Sequence, residues 1–413
     1  MKIISNFCRL DLVLKLISAI LIIAFPLDQL YPVICPNMDF LSPLKILSGF
    51  FVLFIFRIKS FNASIHYKKE IYLLLSVVLL CFISISWAEP DKFRAFVYSL
   101  QMFVLWSFCI VSVKYLKSDF KFVKRLIFGM VVFAAIVAIF ILLGFFSPSK
   151  LSVSNRIGFG LIGLNSIAIS MGYSAMLGIL CVSLFSKRRL LQIIFIICIC
   201  VICYLVLRLG TRSVIWGILV SFVLANIFVL KKKDFKKFIL TFLIIIIGCV
   251  IIYNLDIVKG YLADRIFDLN AETITNNSRI NLWLKGINWY FSNPLGSGAG
   301  NEKGIYMLFD TQSKESHNTI LSTINQISIV GGILLLAFLF FMIKKGLSIK
   351  NRTLKYIFIG FYIFFLIQIF KGSLLQTRLF WHPIMFLLLT LEIDFLIYEK
   401  QNSCTSKLDT SEV

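Results

Sequence analysis

The chain alternates between long apolar segments and short polar connections along almost its whole length. Most apolar segments have about 18 to 25 residues, the length that an α-helix needs to cross a bilayer core of about 30 Å. A β-barrel would instead alternate apolar and polar residues within each segment. The pattern predicts an all-α polytopic membrane protein with about twelve transmembrane helices. They are placed at about residues 12–33, 41–56, 71–88, 96–115, 126–147, 158–185, 190–208, 213–230, 238–256, 318–343, 356–370 and 379–398.

One connection is far longer than the others. The segment 257–317 is polar overall but contains many aromatic and apolar residues. Loops of this length in compact folds are usually functional or disordered, and the aromatic content favours a folded loop with short helices. We therefore predict one transmembrane domain over residues 1–400, with 257–317 inserted between the ninth and tenth spans. The polar tail 401–413 is expected to be disordered.

Positive charge is divided unevenly between two alternating sets of connections. The chain has 42 lysines and arginines against 20 acidic residues, for a net charge of +22. One set, together with both termini, carries 26 of the 42 basic residues. The positive-inside rule assigns this set and the termini to the cytoplasm, and the long loop to the outside. The charge is thus an insertion signal with some attraction to the lipid bilayer, and no nucleic-acid partner is expected.

The outward connections are richer in arginine than the cytoplasmic ones. Arginine keeps its charge when partly desolvated and binds two phosphate oxygens at once, which lysine cannot do. An outward arginine group beside His317 suits an anionic lipid-linked substrate such as a polyprenyl diphosphate. The outward arginines are Arg94, Arg156, Arg208, Arg212, Arg265, Arg279 and Arg378.

Arg212 lies in a connection of about four residues between two spans. Gly210 permits the reversal of the chain, and Arg212 then begins the next helix at the outer membrane interface. The alternative to a functional role is an arginine that snorkels to the interface.

Arg279 begins an amphipathic segment. Ser278 can act as its N-cap, and Pro294 with the glycines that follow ends it. The predicted helix rests either on the bundle or on the membrane interface, and a solvated Arg279 is the alternative to a functional one. One apolar stripe at helical spacing is formed by Ile280, Trp283, Leu284, Ile287 and Phe291.

His317 begins a membrane span. A helix N-terminus favours a neutral imidazole and nearby anions, so that His317 could accept a proton from a sugar hydroxyl or donate to a phosphate oxygen. A structural histidine is the alternative. His66 lies in a cytoplasmic connection and His382 within the last span, so we leave both out of the site. The outward face has no paired carboxylates at ligand spacing and no phosphate-binding glycine loop, so no metal and no cofactor are expected.

Four stretches carry a family resemblance. They are Asn155-Arg156-Ile-Gly-Phe-Gly with Leu164-Asn165-Ser166, Leu209-Gly-Thr-Arg212-Ser213, Arg279-x-x-x-Trp283 with Asn293-Pro294-Leu295-Gly296-Ser-Gly298-Ala-Gly300-Asn301, and His317-Asn318 followed after nine residues by Ser328-Ile-Val-Gly331. In this order they resemble the O-antigen ligase and O-antigen polymerase superfamily of bacterial envelopes, over about residues 150–345. Ser328 stands where the family usually has a glycine. This difference affects the packing of the helix more than the chemistry.

The resemblance implies a metal-independent, inverting glycosyltransferase of the GT-C type in the bacterial inner membrane, with its active site on the periplasmic face. The donor would be an oligosaccharide on undecaprenyl diphosphate. By position, Arg212 and Arg279 would hold the diphosphate, and His317 would act as general base or help to fix the phosphates. Further candidates for contacting the substrate are Arg156, Arg265, Arg378 and Asn318.

The motifs do not distinguish a polymerase from a ligase. A polymerase extends another lipid-linked glycan and can have a chain-length regulator as partner, whereas a ligase transfers the glycan to lipid A–core. The bias towards Phe, Ile and Lys favours the polymerase. A lipid-linked-sugar transporter would have paired broken spans and charges deep in the bundle, but the charges of these spans lie near their ends. A structural or receptor role for the long loop is a further alternative.

Overall fold

All regular elements in the described part of the chain are helices, so the predicted all-α class is confirmed. The computed structural model describes residues 2–28, 49, 66–89, 91–145, 164–185, 188–229, 278–302, 305, 316–375 and 377–409. Numbered in order within these ranges, the helices are α1 (Lys2–Ile23), α2 (Phe25–Asp28), α3 (Lys68–Ile83), α4 (Lys92–Leu116), α5 (Phe120–Leu142), α6 (Leu164–Cys181), α7 (Arg189–Leu209), α8 (Arg212–Val229), α9 (Ser278–Ser292), α10 (Thr319–Leu347), α11 (Arg352–Ile369) and α12 (Arg378–Asp409). Two short 3-10 segments, Ser84–Trp87 and Val182–Phe185, extend α3 and α6.

Nine of the described helices are long and apolar enough to cross a membrane. They are α3 to α8 and α10 to α12, and each matches a predicted span. The chain is therefore a multi-pass membrane protein. The apolar part of α1, Leu12–Ile23, is shorter. Apart from residue 49, the predicted spans 41–56 and 238–256 lie outside the described residues, so the total of about twelve stays a prediction.

Glycines allow close packing at the centre of the bundle. A Cβ added at Gly217 in α8 would lie 2.9 Å from Nε2 of Gln368 in α11. A Cβ at Gly360 in α11 would lie 2.7 Å from Cδ2 of Leu180 in α6. Small residues let membrane helices approach one another, which increases van der Waals contact where lipid tails offer no hydrophobic driving force. The tight packing of α8 on α11 fixes the start of α8, where Arg212 lies.

The helix ends form two sets. We call the set with connections 84–91, 210–211, 293–318 and 370–377 the distal end, and the opposite set the basic end.

At the basic end Glu392 of α12 is fully buried and accepts hydrogen bonds from the backbone N–H of His66 (2.7 Å) and from Nζ of Lys117 (2.9 Å). A buried carboxylate needs such partners because burial without them is costly. Glu392 therefore ties the chain before α3 to α4 and α12.

The last helix extends further than the sequence predicts. The segment 401–413 is expected to be disordered, but α12 continues to Asp409. Residues 401–409 contain neither proline nor glycine, the residues that most disfavour a helix interior, so the helix does not end at Gln401. Residues 410–413 lie outside the described part.

Helix α10 is broken near its first third. Ile327 (φ −127°, ψ 25°) and Ser328 (φ 77°, ψ 169°) are not helical. A continuous helix of 29 residues would be about 43 Å long, which exceeds the bilayer core of about 30 Å. The segment after the break, residues 329–347, is long enough to cross the bilayer core. The first part, 319–326, is rich in buried polar side chains, and we call it the half-helix.

The backbone groups freed by the break are satisfied by other distal elements. Ser297 N–H donates to the carbonyl of Asn325 and Gly298 N–H to that of Gln326, each at 2.9 Å. Beyond the break, Ile329 N–H donates to the Tyr290 hydroxyl at 3.2 Å. Breaks at membrane depth are tolerated where neighbouring protein replaces the lost hydrogen bonds. The break is thus an integral part of the fold.

Replacing Ser328 with glycine is expected to stabilise the protein. The backbone of Ser328 lies in a region that is essentially accessible only to glycine and costs about 1–3 kcal/mol for other residues. We expect Ser328→Gly to raise the melting temperature of the detergent-purified protein. The matched control is Ser76→Gly in the interior of α3, which should lower stability by roughly 0.5–1 kcal/mol. If both variants changed the melting temperature in the same direction, the backbone of Ser328 would not be strained.

Candidate functional site

Four predicted site residues are described with their side chains, and all lie at the distal end. Arg212 begins α8 and Arg378 begins α12. His317 and Asn318 immediately precede the half-helix. The distal end therefore brings together residues that are as much as 166 positions apart in the chain.

Helix α9 is found where the sequence predicts it. Arg279 is its second residue and only the backbone of Arg279 is described. Trp283 lies one turn later on the same face, and its Nε1 donates to the carbonyl of Ser316 at 2.9 Å. The start of α9 is therefore attached to the turn that contains His317. Arg156 and Arg265 lie outside the described residues.

The turn at residues 316–318 has a specific conformation. His317 has a φ of 52°, in the left-handed region, which only a few per cent of non-glycine residues adopt, although asparagine, aspartate and histidine are enriched there. Asn318 is the N-cap of the half-helix, and its Oδ1 accepts from Ile320 N–H (3.0 Å) and Leu321 N–H (3.1 Å). The side-chain oxygen of Asn318 is thus engaged by the backbone. Its expected contact with the substrate stays a prediction.

A buried carboxylate that the sequence analysis missed holds this turn. Glu302 is 4% exposed. Its Oε1 accepts from Ser316 N–H at 3.0 Å, and its Oε2 accepts from the Ser322 hydroxyl at 2.5 Å and from Nε2 of Gln326 at 3.4 Å. Glu302 therefore connects its own loop to the residue before His317 and to the half-helix. In the sequence, Glu302 is only a single acidic residue after a run of glycines, and this pattern does not indicate which residues it contacts.

The glycine run before Glu302 is a closely packed turn. Gly296, Gly298 and Gly300 have φ values of 80°, 84° and 79°, which glycine adopts without steric cost. A Cβ at Gly296 would lie 2.7 Å from the carbonyl oxygen of Gln326, and one at Gly298 would overlap Ala88. The N–H groups of Gly298 and Gly300 bond to Gln326. These contacts show that the three glycines are turn residues.

The end of α11 and the connection that follows it contact both the start of α8 and the His317 turn. Nε2 of Gln368 donates to the carbonyl of Ser213, the residue after Arg212, at 3.1 Å. A few residues later, the Ser373 hydroxyl lies 3.4 Å from that of Ser316. The Thr319 hydroxyl also donates to the carbonyl of Gly372. One short segment thus positions the start of α8 relative to the His317 turn.

The start of α8 places Arg212 beside two buried polar side chains. Arg212 is half-buried, and neither Arg212 nor Arg208 forms a hydrogen bond or ion pair within the described part of the chain. Beside it, Oγ1 of Thr211 and Oε1 of Gln368 are buried and form no hydrogen bond with the residues that the structure describes. Buried polar groups are rarely left unpaired. This end of α8 therefore combines a cation with polar atoms that a bound anion or hydroxyl group could engage.

The two histidines left out of the site have other surroundings. His382 is buried, stacks on Phe25 with ring centroids 4.3 Å apart, and its Nε2 lies 3.2 Å from the carbonyl oxygen of Leu21. His66 contacts Glu392 at the basic end. In the residues that the structure covers, no three His, Cys, Asp or Glu side chains are close enough to hold a metal ion.

The model of the O-antigen ligase family matches residues 196–336, from the middle of α7 to α10. This part of the chain is similar to the O-antigen ligase family. Arg212, Arg279, Glu302 and His317 all lie within the matched range, and the resemblance to the O-antigen ligase and polymerase superfamily is confirmed. The match supports, at a coarse level, an enzyme that transfers glycans. No curated protein matches the chain.

Proposed function

We propose that this protein transfers a glycan from undecaprenyl diphosphate to a hydroxyl group of an acceptor sugar at the periplasmic face of the bacterial inner membrane. The observation that carries the proposal is the half-buried Arg212, which has no partner in the described part of the chain and lies within the residues matched by the O-antigen ligase family. The start of its helix contacts the end of α11, and the connection after α11 contacts the His317 turn. A guanidinium in this position can bind a diphosphate through two oxygens.

The orientation follows from charge. The basic end carries the lysine-rich connections, including Lys117, Lys344, Lys345 and Lys350, and the positive-inside rule assigns such connections to the cytoplasm. The distal end then faces the periplasm, where a lipid-linked glycan would meet Arg212 and His317. Both termini are assigned to the cytoplasm.

The proposed reaction is a displacement at the anomeric carbon. The acceptor oxygen forms a bond to this carbon while the bond to the phosphate oxygen breaks, and undecaprenyl diphosphate leaves with the electron pair. Arg212 and Arg279 stabilise the charge that develops on the leaving group. His317 takes the acceptor proton as general base or fixes the phosphates. Attack from the opposite face inverts the anomeric centre. Arg156, Arg265 and Arg378 are further candidates for contacting the substrate.

The polymerase is our preferred assignment, and the ligase is the second. The residue bias of the chain supports the polymerase, and the family match does not distinguish the two. Both reactions use the same donor and differ in the acceptor, which is a second lipid-linked glycan or lipid A–core. A chain-length regulator is a proposed partner of the polymerase.

We expect His317→Ala and Arg279→Ala to abolish the function in a strain that lacks the gene. The measurement is a gel of surface polysaccharide after complementation with wild type or either variant. If the inactive strain carries a single repeat unit on lipid A–core, the protein is a polymerase. If it carries bare core, with long chains still attached to undecaprenyl diphosphate, the protein is a ligase. The matched control is Arg94→Ala, an exposed arginine at the distal end, which should restore the wild-type pattern. If His317→Ala and Arg279→Ala both restore it, the proposed site is wrong and transport becomes the leading alternative.

A further inference from the structure

One face of α9 is apolar and exposed. Ile280, Leu284, Ile287 and Phe291 have exposed fractions of 44%, 53%, 40% and 77%. Their spacing places all four on one side of the helix. Leu295, 58% exposed, follows the helix directly. We call these five residues the α9 stripe. A continuous apolar surface of this kind marks a contact with protein or lipid.

The stripe does not face the protein. The opposite side of α9 is the packed one, since Leu282 is 4% exposed and forms a small cluster with Ile305 and Trp289. At 100° per residue, Asn281, Lys285 and Asn288 lie along one edge between these two sides. The helix thus has a packed side, a polar edge and an apolar side that no described element covers.

The stripe borders the lipid-facing surface of the bundle. Tyr290 accepts a hydrogen bond from Ile329 N–H at 3.2 Å, which places the end of α9 against the first residue after the break in α10. In the membrane-crossing part of α10 that begins there, Ile329, Val330 and Ile333 are 49%, 51% and 57% exposed. Exposed apolar residues of a membrane span face lipid, because water contact would cost about 25 cal/mol per Å² of apolar surface.

We infer that α9 lies in the membrane interface, with the α9 stripe inserted into the lipid of the distal leaflet. Amphipathic helices of this kind bury the apolar face about 5–10 Å into the boundary between head groups and acyl chains. The aromatic side chains of Trp283 and Tyr290 suit this depth, because tryptophan and tyrosine are enriched at membrane interfaces. The polar edge with Asn288 then faces water.

This contact sets the depth of the His317 turn. Trp283 joins α9 to Ser316 at 2.9 Å, so a helix held at the level of the head groups holds the turn at the same level. A lipid diphosphate has its charged groups at that level. The depth of α9 in the membrane can be measured without an assay of glycan transfer.

The test measures the depth of nitroxide labels in vesicles of phosphatidylethanolamine and phosphatidylglycerol. Labels are attached to Leu284→Cys and Phe291→Cys on the stripe and to Asn288→Cys on the polar edge as the matched control, with the labelled wild-type protein as background for its own cysteines. All three positions are exposed, so the fold should tolerate the substitutions. Collision rates with oxygen and with a water-soluble nickel complex report the surroundings of each label.

We expect the two stripe labels to collide mainly with oxygen, as in lipid, and the control label to collide mainly with nickel, as in water. Stripe labels that resemble the control would overturn the inference, because the stripe would then face water. Immobile stripe labels that are inaccessible to both reagents would also overturn it, because another part of the protein would then cover the stripe.

Discussion

Arg212→Lys is expected to reduce the rate of glycan transfer by about 100-fold, which corresponds to roughly 2.7 kcal/mol of transition-state stabilisation. Lysine keeps the positive charge but cannot bind two phosphate oxygens at once. The half-buried Arg212 has no partner in the described part of the chain that would be lost with it. The measurement is the initial rate of transfer in membranes supplied with lipid-linked donor from the host strain.

The matched control for Arg212 is Arg94→Lys. Arg94 also lies in the first turn of a helix at the distal end, and it is exposed. An arginine that only snorkels to the membrane interface tolerates lysine, so Arg94→Lys should keep the wild-type rate. If the two variants transfer glycan equally well, Arg212 is an interfacial anchor and the proposed diphosphate contact is wrong.

Glu302→Ala is expected to loosen the His317 turn and to reduce transfer at least tenfold. Removing the carboxylate leaves Ser316 N–H and the Ser322 hydroxyl without their acceptor, whereas Nε2 of Gln326 keeps its hydrogen bond to the Ser322 oxygen. A buried unsatisfied group costs about 1–3 kcal/mol, so we expect the local free energy of opening to fall by about 3 kcal/mol or more. Amide hydrogen exchange of the peptide 316–326 measures this change directly.

Two variants define the role of Glu302. Glu89→Ala removes an exposed acidic residue at the same end and should leave both exchange and transfer unchanged. Glu302→Gln keeps one acceptor oxygen and should fall between wild type and alanine in both measurements. Unchanged exchange at 316–326 in Glu302→Ala would show that the carboxylate does not hold the turn.

The membrane spans could be predicted from the sequence because burial in lipid depends on the length and polarity of a segment. The predicted span 190–208 corresponds to Arg189–Leu209, and 213–230 to Arg212–Val229. The N-terminal end of α10 was also predictable, since the span was expected to begin at 318 and Asn318 is its N-cap. These are local properties that neighbouring residues determine.

The break in α10 could not be predicted in this way. Ile327-Ser328-Ile329 contains neither proline nor glycine, and the break depends on N–H groups that Ser297 and Gly298 supply from almost 30 residues earlier. Glu302 was missed for the same reason, because its partners lie 14 to 24 residues away. Such long-range hydrogen bonds leave no periodic pattern. Arg156 and Arg265 stay predictions because they lie outside the described residues.

The break in α10 also determines which segments can be exchanged between related proteins. The carbonyls of Asn325 and Gln326 require the N–H groups of Ser297 and Gly298, and the amide of Gln326 contacts Glu302. A chimaera that replaces only residues 278–302 would pair a foreign turn with the native half-helix and leave these hydrogen bonds mismatched. Residues 278–328 should therefore be exchanged together in a chimaera, so that both partners of these hydrogen bonds come from the same protein.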